Sequence, residues 1–83
     1  MHTETIILPV PIMRGEKEIK EIELQEPTVL SLQGLETMGI IRGDVAQLCV
    51  LLPRISDLSS AETKSLCFKN LAAISMRVTS FLG

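Results

Sequence analysis

Apolar residues alternate with polar ones early in the chain and recur at helical spacing later, and the change falls at Glu26-Pro27. From Thr5 to Met13 the residues are β-branched or apolar, and Ile6, Leu8, Val10 and Ile12 share one face by the two-residue period of a strand. Pro9 and Pro11 lie two apart, so their missing N–H donors fall along one edge. An edge strand tolerates that and a central strand does not. The same prolines blunt the edge against pairing with other chains. Arg14-Gly15-Glu16-Lys17 reads as a turn. A second strand follows from about Ile19 to Gln25, with Ile22 and Leu24 facing one way and Glu21, Glu23 and Gln25 the other. Ile19 is out of phase with Ile22, which predicts a bulge or a later strand start. A two-stranded hairpin is marginal alone, so this one must pack on the helices or on another chain.

Pro27 ends the strand, and Thr28 is the N-cap candidate of a first helix carrying Val29, Leu32, Leu35 and Met38. Gly34 falls inside that helix and Gly39 at its C-cap. Residues 40–43 are expected to connect to a second helix capped by Asp44. Its stripe is Val45, Leu48, Cys49, Leu52 and Ile55, but Ala46, Val50 and Leu51 add apolar residues off the stripe. A helix apolar nearly all round is buried on all sides, which here means the middle of a bundle or an interface between chains. Pro53 is expected to kink or end it, leaving Arg54-Ile55-Ser56 as an exit turn. Ser59-Ser60-Ala61-Glu62 matches a capping box, opening a short helix to about Leu66. The last helix runs from about Lys69 to Phe81 on a stripe of Leu71, Ile74, Val78, Phe81 and Leu82. The class is therefore α+β: a hairpin over residues 5–25, then three to four helices over 28–82, in one domain spanning 1–83.

Composition sharpens this. A chain of 83 residues buries only about 60% of its unfolded surface, yet 46% of its residues are hydrophobic, with two phenylalanines and no Trp or Tyr. That much aliphatic surface exceeds what so small a core needs, and some of it is expected to serve a partner. Val45, Leu48, Val50, Leu51, Leu52, Ile74, Val78 and Phe81 are the candidates, shared between core and interface. Arg54, after Pro53, is the polar candidate, satisfying carbonyls at the helix end or touching the partner. Met38 and Met76 read as core fillers able to adapt to varied contacts. Self-association is expected to cover the surface when no partner is present.

The remaining signals exclude. Net charge is −2, with no basic stretch and almost no aromatic platform, so nucleic acid is not expected as a partner. A membrane-surface role lacks its Lys/Arg face, and Val45–Leu52 is far shorter than the roughly 20 residues of a bilayer span. No secretion signal is expected from Met1-His2-Thr3-Glu4. Cys49 and Cys67 have no metal-type spacing and read as buried, reduced thiols of a cytosolic protein. His2 is the only histidine, no nucleophile–base set can be built around it, and Gly34, Gly39 and Gly43 have no phosphate-loop spacing. Glu16, Glu18, Glu21, Glu23 and Glu26 read as a solvated face. No enzyme activity, cofactor or metal is expected.

Several blocks resemble the tail assembly chaperones of contractile-tailed phages, the group of the E-type proteins of P2-like phages and their Mu-like relatives. They are Glu21-Ile22-Glu23-Leu24-Gln25-Glu26-Pro27-Thr28, then Leu32-Gln33-Gly34-Leu35, then Asp44-Val45 followed by Leu51-Leu52-Pro53-Arg54-Ile55-Ser56, and Leu58-Ser59-Ser60-Ala61-Glu62. They occur in the family's order and span about residues 15 to 82. One departure is Cys67-Phe68-Lys69-Asn70, where relatives open the last helix with an Asp-Pro or similar cap; Asn70 is the substitute cap here. The resemblance implies a protein that coats the tape measure protein, a long, hydrophobic, helical molecule, and keeps it soluble until tail-tube subunits polymerise around it. It implies a place in the bacterial host's cytoplasm and absence from the mature virion. A longer form made by ribosomal frameshifting accompanies some relatives. Two rival functions stand beside this one: a minor structural protein of the tail or baseplate, and a small dimeric regulator of the antitoxin type, which the acidic charge argues against.

Overall fold

The computed structural model describes residues 3–82, so readings that fall on His2 lie outside it. Strands β1 (Thr3–Arg14) and β2 (Lys17–Gln25) form an antiparallel hairpin. Helices α1 (Thr37–Ile41), α2 (Val45–Ile55), α3 (Ser60–Lys64) and α4 (Phe68–Leu82) follow. The α+β arrangement is the expected one. Gly15, with φ +64, opens the two-residue turn while Glu16 keeps a negative φ, the pattern of a type II′ hairpin turn.

The expected irregularity in the hairpin is present, and its parity explains it. Ile6 pairs with Ile22 and Ile12 with Ile19. The β1 partners are in phase and the β2 partners are not, so β1 must carry an odd number of extra residues. It does: Leu8, Pro9, Val10 and Pro11 lie opposite Lys20 alone. Both prolines thus sit where the ladder is already broken. The single face expected of β1 does not survive the break. Ile6 and Leu8 are buried, Ile12 is half-buried, and Val10 is exposed.

Val10 is held another way. Its N–H donates to Asn70 Oδ1 at 3.0 Å and its carbonyl accepts from Asn70 Nδ2 at 2.8 Å. Asn70 does not cap α4; it lies inside the first turn, in line with Ile74 and Val78, and is buried. The side-chain amide supplies, where the ladder is interrupted, the two bonds a neighbouring strand would have made to Val10.

The first expected helix is broken in two. Thr28 does begin a helical turn, with Leu32 N–H donating to its carbonyl at 3.0 Å. Gly34 then adopts φ +82 in a turn, and the helix restarts only at Thr37. Arg54 contributes to the break, because its Nη1 donates to the carbonyls of Ser31 and Gln33, both at 2.9 Å. A continuous helix would have used those carbonyls for Leu35 and Thr37. Gly39 is not a C-cap but a buried residue within α1, where a Cβ would strike the Gln47 amide. The positive-φ residue after that helix is Gly43, and the bonds Gly43 N–H to Ile40 O and Asp44 N–H to Gly39 O complete a Schellman motif.

Asp44 caps α2 as expected, accepting from Gln47 N–H at 3.2 Å. Pro53 does not end α2, which continues to Ile55. The Ser56 hydroxyl donates to the Leu52 carbonyl at 2.6 Å, and extended Ser56 bridges to Leu24 of β2, tying the helix exit to the sheet. The capping box forms in full: Ser59 Oγ accepts from Glu62 N–H at 3.0 Å and Glu62 Oε1 from Ser59 N–H at 2.9 Å.

The core joins Ile6, Leu8, Ile22 and Leu24 of the hairpin to Ile40, Leu48, Leu51, Leu52, Ile55, Leu58, Ile74 and Val78. Arg14 closes one end through Glu62, at 2.7 Å from Nε and 3.1 Å from Nη2. The Arg14 hydrogen bond, then the Ser59 N–H, hold the Glu62 carboxyl down at about 2. A carboxyl depressed in the folded state stabilises above its unfolded value and loses that contribution as pH falls through the folded one. Thermal stability should therefore drop by about 1 kcal/mol between about pH 5 and about pH 2, the figure discounted for partial exposure. Glu62→Gln, which keeps the capping box, should flatten that part of the melting profile; an unchanged profile would show the ion pair to be ornamental.

Candidate functional site

The core composition sorts the sequence candidates. Leu48, Leu51, Leu52, Ile74 and Val78 are no more than 1% exposed, so a partner cannot reach them in this conformation. Val45 and Val50 remain open at 56% and 44%. Phe81 is half-buried against the core, and Arg54 is exposed at the helix end. Arg54 does satisfy carbonyls, but those of the 28–35 loop rather than of α2 itself.

Two rows of α2 thus have different fates. Leu48, Leu51, Leu52 and Ile55 face inward. The opposite face carries Val45, Ala46, Cys49, Val50 and Pro53, apolar yet uncovered within one chain. Ala46, Cys49, Val50 and Pro53 of this face form an open groove of about 670 Å³ with Ser60 and Lys64 of α3. A second open groove, about 650 Å³, lies between the end of β2, the loop residues Leu30 and Ser31, and Ile55. A third, about 670 Å³, is lined by Val29, Leu30, Leu32 and Leu35. Arg54 borders the first and second, and Leu30 the second and third. The three grooves form one band, bent around Arg54.

The most open apolar residues of the band were not among the sequence candidates. Val29 and Leu30 are 90% and 77% exposed. Their assignment to a regular helix hid them, since a helix there would have turned part of its apolar row inward. The available signal was Gly34, whose preference for a left-handed turn cuts the helix short. Met38 and Met76, read as core fillers, are exposed, as are Phe68 and Cys67. Cys49 is half-buried and both thiols are free, so the expectation of two buried thiols fails for Cys67. Glu16, Glu18, Glu21, Glu23 and Glu26 are exposed, as expected. Among the described residues, no three His, Cys, Asp or Glu converge as a metal site. No described helix is long and apolar enough to cross a membrane.

Pattern and surface acquire a context from comparison with known proteins. The family model described as phage tail assembly chaperone proteins, E, or 41 or 14, matches residues 5–83. The chain belongs to this family. No curated protein and no solved structure matches it. A tail assembly chaperone interacts with tail proteins, and contiguous exposed apolar surface is a common mark of protein contact sites. The family match starts inside β1 and includes the loop, α2 and α4, so every groove of the band falls within it.

Proposed function

We propose that this chaperone binds the tape measure protein through the band around Arg54 and keeps it soluble until tail-tube subunits polymerise. The observation that carries this is the band itself: Val29, Leu30 and Val50 exposed along linked grooves, with Val45 exposed on the same helix as Val50, in a chain of 83 residues. An apolar, helical client laid along the grooves would bury these side chains, each worth about 1.5–3 kcal/mol when fully covered. Arg54, already spending Nη1 on the loop carbonyls, fixes the shape of the band and presents charge at its bend. The protein acts without enzymatic chemistry, in the host cytoplasm, and leaves before the virion matures. It self-associates when no client is present, and a longer frameshifted form of the same chain is a further partner.

The test is co-expression with the tape measure protein of the same phage. The client should move from the pellet to the soluble fraction and co-purify with the chaperone. A client that stays insoluble, or is soluble without it, overturns the proposal. Mass spectrometry of purified particles separates this function from that of a minor tail or baseplate subunit, which would be retained.

A further inference from the structure

The two-stranded sheet leaves one edge of β2 uncovered along most of its length. The helices pack on the hairpin chiefly through β1. Among the described residues, the outer edge of β2 is met only at Leu24, by Ser56. Arg14 and Lys17 close a two-residue turn, so they exchange hydrogen bonds across the hairpin, and pairs alternate from there. Odd residues of β2 therefore turn their backbone groups toward β1, and Glu18, Lys20, Ile22 and Leu24 turn theirs outward. The Ser56 bridge at Leu24 agrees with that phase. Unlike β1, which carries Pro9 and Pro11, β2 has no proline to guard its edge.

The charges on this edge are self-complementary. The order is Lys17, Glu18, Ile19, Lys20, Glu21. A second copy related by a two-fold axis perpendicular to the sheet pairs antiparallel, and residues facing each other then share parity. With the axis at Ile19, Lys17 faces Glu21 of the other copy and Glu18 faces Lys20, each twice by symmetry. All four cross-strand pairs join opposite charges. The Glu18 and Lys20 pairs are also those whose backbone groups point outward, so each such pair can exchange two hydrogen bonds. Glu18 and Lys20, now 3.5 Å apart within one chain, are well exposed and free to change partners.

We propose that β2 pairs with β2 of a second copy, centred on Ile19, to make a continuous four-stranded antiparallel sheet in a symmetric dimer. This interface is separate from the client-binding band, so it persists whether or not a client covers that band, and it stands beside the client-dependent self-association proposed above. A strand edge is a small interface, so the dimer is weak and concentration-dependent.

Size-exclusion chromatography with light scattering over a concentration series, and native mass spectrometry of mixtures, test it with three chains. Wild type should dimerise. K17E/K20E makes the edge wholly acidic and E18K/E21K makes it wholly basic; each should weaken its own dimer by about tenfold or more. Mixed together, the two variants should form the heterodimer in preference to either homodimer. A wild-type chain monomeric throughout, variants that dimerise as wild type does, or a mixture without heterodimer overturns the pairing. The variants should still solubilise the tape measure protein. Loss of the dimer with client binding intact separates this interface from the chaperone function, and failure of client binding in wild type leaves the pairing standing.

Discussion

Asn70→Leu should cost about 2–4 kcal/mol of folding stability, a large effect for a polar-to-apolar change in a core. Leucine fits the volume and would ordinarily strengthen an apolar stripe beside Ile74 and Val78. Here it removes both partners of Val10, whose N–H and carbonyl are held at 3.0 and 2.8 Å. Each backbone group left unsatisfied in a partly buried place costs about 1–3 kcal/mol, and partial access of water to Val10 trims the sum. Neither neighbour can help, because Pro9 and Pro11 have no N–H to offer. Asn70→Asp should also fail, since a carboxylate accepts from the Val10 N–H but repels its carbonyl. Urea unfolding should show a lower midpoint at unchanged slope. A loss under about 1 kcal/mol would mean that water replaces the amide at no great cost.

The Asn70 clamp also shows where sequence pattern stops being informative. Periodicity located the hairpin, the phase conflict between Ile19 and Ile22, the Asp44 cap and the Ser59–Glu62 box, because each is decided by residues within a few positions of one another. It placed Leu48, Leu52, Ile74 and Val78 on apolar stripes for the same reason. Asn70 looked like a local cap because its true partner is 60 positions away. Two clues were present: an Asn aligned with Ile74 and Val78, and a Pro-Val-Pro segment that interrupts the pairing of β1 and leaves Val10 to find its partner elsewhere. The segment from Val29 to Gly39 was misread because two influences outside it decide its form. Arg54 claims two of its carbonyls, and Gln47 fills the space beside Gly39. The candidate site suffered accordingly: stripes showed which residues are apolar, but only packing showed which of them face the core.

That distinction is sharpest between two adjacent residues of α2. Leu51→Asp should unfold the chain, and Leu30→Asp combined with Val50→Asp should leave it folded but unable to hold the client. Leu51 is wholly buried among hairpin and helix side chains, and a carboxylate there would be desolvated without a cation to pair with. The cost, several kcal/mol, approaches the entire stability expected of so small a core. Its loss of client solubilisation would therefore say nothing about the binding surface. Val50 and Leu30 already meet water, so charges there are solvated and should shift the midpoint by about 0.5 kcal/mol or less. In the client, however, each charge would face apolar surface, and two such contacts should reduce affinity by about a hundredfold or more. Circular dichroism and the co-expression assay, applied to both chains, read the two effects independently. A Leu30→Asp/Val50→Asp chain as folded as wild type and still able to solubilise the tape measure protein would move the binding surface away from the band.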